Sequence, residues 1–396
     1  MRILYGYSNC TDETYNRIMS ERNASAMQPD QKYHSLVIRG LAENGAEVRC
    51  FSGLPVNRAV TARKLVREQD EQQGSAHFHY ITTINYPGIR HLMIFFGTLF
   101  GVLRSKKDKE TYAVCDFLNT ATAFAFIIAC KLRRIKKTAI VTDLPDMFDS
   151  GGARKKISNF LLRRFDGYIF LTEYMNTAAN PKNKPHLVIE GQCDSKVPPQ
   201  STGEPYEAES GKQVMIYAGN IQGKYGIGYL VEGFLLADLP NAELRVYGRG
   251  DFLDELQRLC ESHPNLRYMG VKPNSEIVEE EQRAALLVNP RPTAPEYTKY
   301  SFPSKNMEYM ASGTPLLTTK LPGMPTDYYP YIYLLEDETP EGAAAALKAI
   351  LSTPLSQRRE KGRAAREFVL KNKSNLTQTK KIIDFLPILK NKRNEK

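Results

Sequence analysis

No tryptophan occurs in the 396 residues, and the six cysteines (Cys10, Cys50, Cys115, Cys130, Cys193, Cys260) show no CxxC spacing. The first absence removes a common stacking residue for bases. The second argues against both a zinc site and a disulfide framework, and fits a reduced, cytosolic compartment. The opening MRILYGYSN reads as a strand running into a loop, without the charged start, apolar core and cleavage site of a signal peptide. The longest apolar stretch, IRHLMIFFGTLFGVLR at 89–104, falls short of the roughly 20 residues a bilayer span requires. Zinc-finger spacing, an RNP-type aromatic motif, Walker A, a clean GxGxxG, a DxD pair, low-complexity tracts and internal repeats are all missing.

What is present is a chain that is 42% hydrophobic and 25% charged, too long for one ordinary core. Two domains with a cleft between them are expected. A net charge of +10 and a pI near 9.1 imply anionic company. Nucleotide diphosphates and anionic lipid suit it better than nucleic acid, for which no motif is found.

Strand-like and helix-like runs alternate, the pattern of parallel sheets covered by helices. RILYGYS, AEVRCFSG, HFHYITTI, YAVCDFLNT, TAIVTDLPD, GYIFLT and HLVIEG are strand candidates up to residue 191, and the amphipathic YHSLVIRGLAENG is a helix stopping at Gly45. Residues 194–213 lose apolar periodicity and gain Pro, Ser, Gly and Glu, as a linker does. The alternation restarts with VMIYAGN, AELRVYGRG, NLRYMG, ALLVNPRP, TPLLTTK and YIYLLED. The expected division is a first domain over 1–193, a linker over 194–213, a second domain over 214–373 and a closing helix with a frayed basic tail over 374–396.

Ligands of open parallel sheets sit beyond the carboxyl ends of the strands, where helix N-termini offer unpaired N–H groups. In YSFPSKNMEYMASGTPLL, residues 300–317, Ser304 as N-cap makes Lys305 the first helical residue, with Met307, Met310 and Ala311 facing the core. A capping box would need an acid at Met307, so Glu308 is not simply closing the helix end. The functional reading is a diphosphate held by the helix N-terminus and Lys305, with Glu308 accepting from a ribose diol. A plain cap with a surface ion pair is the bland alternative. Two more junctions are glycine-rich: YAGNIQGKYGIGYL with Gly219, Gly223, Gly226 and Gly228 beside Lys224, and LRVYGRGD with Gly248, Arg249 and Gly250. Arg291 in LLVNPRP follows another strand and can grip phosphate with two N–H groups.

Together, YAGNIQGKYGI, VYGRGD, LVNPRP and YSFPSKNMEYMASGTPLLTTKLPGMP resemble the nucleotide-sugar half of family 4 glycosyltransferases of the GT-B fold, particularly bacterial enzymes building capsular or extracellular polysaccharide. LAENGAEVRCFSG and VTDLPDM resemble its N-terminal half. The resemblance implies two facing Rossmann-like domains, each a doubly wound parallel sheet, with a UDP- or GDP-linked donor on the second and a saccharide or polyprenyl-linked acceptor on the first. It also implies retention of anomeric configuration, no cofactor, no required metal, and a last helix, LTQTKKIIDFLPIL, crossing back to the first domain. Gly219, Asn220, Lys224, Gly248, Arg249, Arg291, Ser304, Lys305 and Glu308 are the residues expected, on this resemblance, to bind the donor. Departures are Tyr300 where the first of two acids is usual, Asn220 where arginine is usual, Tyr225 at the lysine position, and Asp143 where a histidine is often found.

The chemistry expected is therefore a hexosyl or N-acetylhexosaminyl transfer in cell-surface polysaccharide synthesis. Lys305, Arg291 and the helix dipole would balance the departing diphosphate, the phosphate itself would take the acceptor's proton, and Asp143 would orient the acceptor or steady the sugar cation; an Asx turn is the alternative for Asp143. Stretches 93–109 and 124–137 join apolar residues to basic runs. For 89–104 the expectation is interfacial contact with anionic membrane, at the inner face of the plasma membrane; for 124–137 it is a core helix. A nucleotide-sugar epimerase and a non-catalytic nucleotide-sugar-binding scaffold are the competing classes.

Overall fold

Every residue of the strand Thr111–Asp116 is buried, as a parallel strand covered on both faces must be. It lies in the computed structural model of the chain, which describes residues 1–21, 29–145, 152–198 and 203–391. Contacts divide the chain into two units, Met1–Glu190 with the chain from Asn375 onward, and Gly191–Ser374.

The first unit holds strands β1 (Arg2–Gly6), β2 (Glu47–Ser52), β3 (Leu65–Val66), β4 (Glu71–Gln73), β5 (Ala76–Tyr80), β6 (Thr83–Ile84), β7 (Thr111–Asp116), β8 (Lys136–Val141), β9 (Gly167–Phe170) and β10 (His186–Val188). Among the described residues they form an eight-stranded sheet in the order β10-β9-β8-β7-β1-β2-β5-β4, parallel except at β4, with β3 and β6 paired separately. The helices are α1 (Asp12–Ser20), α2 (Pro29–Glu43), α3 (Ile89–Arg104), α4 (Thr120–Arg133), α5 (Gly152–Leu162) and α6 (Glu173–Ala179). Tyr15 and Ile18 of α1, and Val37, Ile38 and Leu41 of α2, share one core with alternate strand residues. The leftward run of strands from β5 through β7, β8 and β9 lays α3, α4 and α5 on the opposite face, since such crossovers are right-handed; there Phe51 of β2 meets Phe126 of α4, centroids 6.2 Å apart.

The second unit contains α7 (Tyr206–Ser210), β11 (Gln213–Asn220), α8 (Ile227–Ala237), β12 (Ala242–Arg249), α9 (Leu253–Ser262), β13 (Leu266–Tyr268), α10 (Asn274–Arg283), β14 (Leu286–Asn289), α11 (Ser304–Ser312), β15 (Leu316–Thr319), β16 (Tyr333–Leu335), α12 (Pro340–Leu351) and α13 (Leu355–Asn372). Its six strands are all parallel, in the order β13-β12-β11-β14-β15-β16. One face packs on α8, α9 and α12, the other on α11 and α13. The chain then re-enters the first unit as α14 (Asn375–Phe385) and α15 (Ile388–Asn391), where Asn44 Nδ2 on the loop after α2 donates to Leu376 O at 2.9 Å.

Several expectations need revision. The units divide at Glu190/Gly191 and Ser374/Asn375, where residues 193 and 373 were expected. The reason is Cys193, whose N–H donates to Lys373 O at 3.0 Å and which bridges to Ser374, tying it to the second unit. The stretch read as a linker carries α7, and Glu207 on it receives both Arg358 Nη2 bonds at 2.6 and 2.7 Å. Residues 124–137 are not one helix: α4 ends at Arg133 and Lys136 already starts β8. The last helix is two, α14 and α15, with Pro387 between them. The basic tail beyond 391 and linker residues 199–202 lie outside the described residues.

Candidate functional site

Each sheet has a switch point where the strand order reverses, and loops diverge there to leave room for a ligand. In the second unit it lies between β11 and β14. Gly219 and Asn220 end β11, paired in register with Gly248 and Arg249 of β12. The two glycines touch: a Cβ on Gly248, whose φ is +130°, would overlap Gly219 O. The next turn is as tight. Gly226, at φ +84°, caps α8 so closely under Pro290 that an added Cβ would overlap the Pro290 carbonyl oxygen, and Tyr229 OH donates to that same oxygen. The loop bearing Lys224 and the segment bearing Arg291 are thereby held together.

Four cations gather around this edge. Arg291 sets its guanidinium 4.9 Å from the Tyr225 ring centroid and 5.5 Å from that of Tyr297, with Nε buried and unpartnered. Lys224 Nζ is 5.1 Å from the Tyr225 ring centroid, and its side chain is exposed, like that of Arg249. Lys305 stretches its stem along β11, with Cε 3.5 Å from where a Gly219 Cβ would stand, and its Nζ lies 5.5 Å from the Tyr309 ring. None of the four has a carboxylate partner among the described residues.

The helix behind Lys305 is anchored by groups the sequence reading passed over. Tyr309 OH donates to Ala218 O at 3.2 Å and accepts from Ala218 N–H at 2.8 Å, fixing α11 to β11. Asn289 Nδ2 donates to the buried Asn306 Oδ1 at 2.6 Å, and Thr318 Oγ1 donates to Asn289 O at 3.0 Å. A polar residue at a core-facing helical position, as Asn306 is beside Met307 and Met310, was the available signal. The helix start differs from the expectation: Ser304 is the first helical residue and exposed, Pro303 occupies the cap position, and no side chain caps the helix. Asn306 N–H donates to Pro303 O at 3.0 Å, while no side chain caps the N–H groups of Ser304 and Lys305, which keep their partial positive charge for a ligand. Met307, Met310 and Ala311 are buried as expected, while Glu308 is half-buried.

In the first unit the switch point lies between β1 and β7. A cavity of about 270 Å³ opens there, lined by Tyr7, Ser8, His34, Arg90, Asp116 and Asn119 among others. His34, on the core side of α2, is buried, its ring stacked on Tyr7 with centroids 3.7 Å apart and its Nδ1 2.6 Å from Tyr5 OH. Its Nε2 stands 3.9 Å from Asp116 Oδ1, an oxygen that is buried without a hydrogen-bond partner. Asp116 Oδ2 accepts from Asn119 N–H at 3.0 Å, and Asn119 Nδ2 donates to Ser8 Oγ at 2.5 Å. Burial lowers the His34 imidazole to about 3 and raises the Asp116 carboxyl to about 7, the latter helped by the charges of Asp30 and Asp143. Asp143 follows β8 and is half-buried; it acts on Asp116 but is not part of the cavity lining, and Asp146 lies outside the described residues. His34 and Asp116 went unnoticed in the sequence, although a histidine on an apolar helix face and an acid ending an apolar strand marked them.

Burial pushes the thiols of Cys130 and Cys193 up to about 12, so neither offers a thiolate nucleophile near neutral pH. Among the described residues no three His, Cys, Asp or Glu side chains gather where they could hold a metal ion.

Known proteins share this architecture. Sucrose-phosphate synthase from Thermosynechococcus elongatus superposes with a TM-score of 0.66 at 14% identity, covering 98% of this chain and 100% of its own. The chain has the GT-B fold. HepE of Anabaena, in complex with UDP, gives the same TM-score, identity and coverage, and an E. coli trehalose-6-phosphate protein bound with UDP-2-fluoroglucose gives 0.67 at 12% identity over 98% of this chain and 99% of its own. Residues 202–368, which include the whole cationic edge of this GT-B chain, match the model of group 1 glycosyl transferases. No curated protein matches.

Proposed function

We propose that the chain is a retaining glycosyltransferase that moves a hexosyl or N-acetylhexosaminyl group from a UDP- or GDP-linked donor to a saccharide or polyprenyl-linked acceptor in cell-surface polysaccharide synthesis. The observation that carries this reading is the set of four cations, Lys224, Arg249, Arg291 and Lys305, without carboxylate partners among the described residues, on the sheet edge where α11 starts without a side-chain cap. An ammonium or guanidinium in such a place is stabilised by an anion, and a diphosphate has the charge and the acceptor oxygens to use all of them. The group 1 match over the same residues, and the UDP and UDP-2-fluoroglucose held by HepE and the E. coli protein, support a nucleotide sugar.

As the sugar–phosphate bond lengthens, negative charge grows on the diphosphate, and Lys305, Arg291 and the α11 dipole lower the barrier by meeting it. The protein cations supply that charge in this proposal, with neither cofactor nor required metal. Glu308 accepts from the ribose, and Gly219 and Gly248 leave the backbone bare for close approach of the phosphates. The acceptor's reacting sugar occupies the cavity of the first unit, where the unpartnered Asp116 oxygen accepts a hydrogen bond from a hydroxyl other than the attacking one and so orients the sugar. Asp143 acts through Asp116. Retention follows from front-face attack, with the leaving phosphate taking the proton. The site of action is the cytoplasm at the inner face of the plasma membrane.

Calorimetric titration with UDP, GDP and ADP tests the donor site. One diphosphate is expected to bind, and Lys305→Ala to weaken it roughly 10- to 100-fold, the worth of one charged hydrogen bond. Equal affinity in wild type and variant would end the proposal. Release of free nucleotide from the matching nucleotide sugar distinguishes a transferase from a scaffold subunit.

A further inference from the structure

We infer that the outer surface of α3 is a docking face for an anionic lipid bilayer. α3 is apolar on most faces, but its two sides do different work. Ile94, Thr98 and Val102 are buried, and Gly97 and Gly101 let the helix sit close on Ile81 and Phe51. The opposite side carries Ile89, Leu92, Phe96 and Phe100, spaced at 3, 4 and 4 residues, so they form one row about 16 Å long. Leu92 is 60% exposed, Phe96 and Phe100 each 48%. The row continues past the helix start through exposed Tyr86, Ile84 and Leu65, the last two directly paired across β3 and β6. Phe124 of the adjoining α4, ring centroid 5.4 Å from Phe95, widens it. A contiguous exposed patch of this kind marks an interaction surface.

Charge decides the occupant. Cations lie at both ends of the row and stack on its terminal rings: Arg58 is 5.1 Å from the Tyr86 centroid, Arg104 5.8 Å from that of Phe100. Beyond Phe100 come Lys106 and Lys107, and beside them Lys131, Arg133 and Arg134 where α4 ends. Lys107 Nζ donates to Arg133 O, joining the two helix ends into one basic rim. Asp108 is engaged by Arg2 and Glu110 by the Met1 ammonium, and Asp166 is taken up by Lys136 and Lys137, which stand outside the rim. Aromatic and aliphatic side chains at the centre with cations around them match the acyl boundary and the phosphates of an anionic bilayer. A second copy of the chain would bring the same rim against itself, with Arg104, Lys106, Lys107, Lys131, Arg133 and Arg134 repeated on each side. Among the described residues no helix is long and apolar enough to cross a membrane, so the contact is interfacial.

The inference rests on the proposed membrane-borne acceptor for its purpose, yet its test uses no turnover. Because the chain has no tryptophan, Phe96→Trp creates a single reporter on the row. With vesicles of phosphatidylcholine and phosphatidylglycerol its emission is expected to shift to the blue, and with pure phosphatidylcholine to remain unchanged. Co-flotation of the unmodified chain should rise with the anionic fraction and fall with salt. Leu92→Ser/Phe96→Ser/Phe100→Ser should reduce flotation at least tenfold and Lys106→Glu/Lys107→Glu at least as much, since each cation near an anionic surface is worth about fivefold in partition. Unchanged circular dichroism and diphosphate affinity would show that the variants remain folded. No flotation at low salt, equal flotation of wild type and serine variant, or a concentration-dependent dimer abolished by the serine changes without lipid binding would overturn the inference. If the lipid results hold while no nucleotide sugar is turned over, the docking face stands and the transferase reading falls.

Discussion

Arg291 lies 4.9 Å over the ring of Tyr225, on the opposite side of the β11–β14 switch point. Burial of its Nε without a partner leaves the guanidinium positioned by an aromatic face instead of a carboxylate. A cation held this way keeps its N–H groups for a ligand, while an ion pair would have consumed them.

Replacing this arginine by lysine is therefore not a conservative change. Arg291→Lys keeps the charge but loses both the stacking and the two-pronged grip, and diphosphate affinity should fall about tenfold. Tyr225→Ala should give much of the same loss, because the arginine would no longer be held in place. In a double-mutant cycle the two losses should fall short of their sum. Additive losses would mean that ring and guanidinium act separately.

The glycines of the donor edge should separate folding from binding. Gly226 has φ +84° and lies against Pro290 O, so Gly226→Ala should cost the fold roughly 2–4 kcal/mol, by strain and overlap together. Gly219 has an ordinary φ, and its added Cβ would meet Lys305 Cε at 3.5 Å, a normal contact. Gly219→Ala should fold within about 1 kcal/mol of wild type and still bind diphosphate less tightly, since the methyl group stands where phosphate oxygens would approach. Denaturant unfolding and titration of both variants decide this. A Gly219→Ala protein with unaltered affinity would rule out close phosphate approach at that residue.

The buried acid of the first unit should be visible in the pH dependence of stability. Its carboxyl titrates near 7 when folded, against 3.8 ordinarily, so between these values the folded chain holds a proton the unfolded chain has released. Stability contributed by this group falls as pH rises through that window. His34, lowered to about 3, has the opposite slope below its ordinary value near 6.5, because only the unfolded chain takes up its proton. The two slopes largely cancel between about pH 4 and 6.5. Asp116→Asn removes the first slope, so it should gain roughly 1–3 kcal/mol at pH 8 relative to its effect at pH 4, and should lose stability as pH falls below 6.5. Unfolding free energies from pH 4 to 8 check it, and parallel curves for wild type and variant would refute the assignment.

Much of the architecture was legible locally. Runs such as YAVCD, TAIV and ALLVN are apolar on both faces, which only a covered parallel strand tolerates, and each is a strand. The ends of α3 fall at Ile89 and Arg104 because Gly88, at φ +79°, and Ser105, extended, stop the helix there. Short β3 and β4 were missed, being two and three residues long, too brief for alternation to register. The cap of α11 was misassigned by one position because serine at a helix start usually caps, whereas here Pro303 supplies the extended residue.

The sequence by itself determined the alternating elements, the glycine-rich turns, and Lys305 and Arg291 as cations following strands, since these depend on residues near one another in the chain. Only the tertiary structure decided which of those groups meet. Arg291 reaches Tyr225 because β14 pairs with β11, and His34 faces Asp116 because α2 shares one core with the sheet that holds β7, contacts between residues 66 and 82 positions apart. Charge, burial and an unpartnered oxygen become properties of a site once packing excludes water from around them, and no local stretch of sequence records that exclusion.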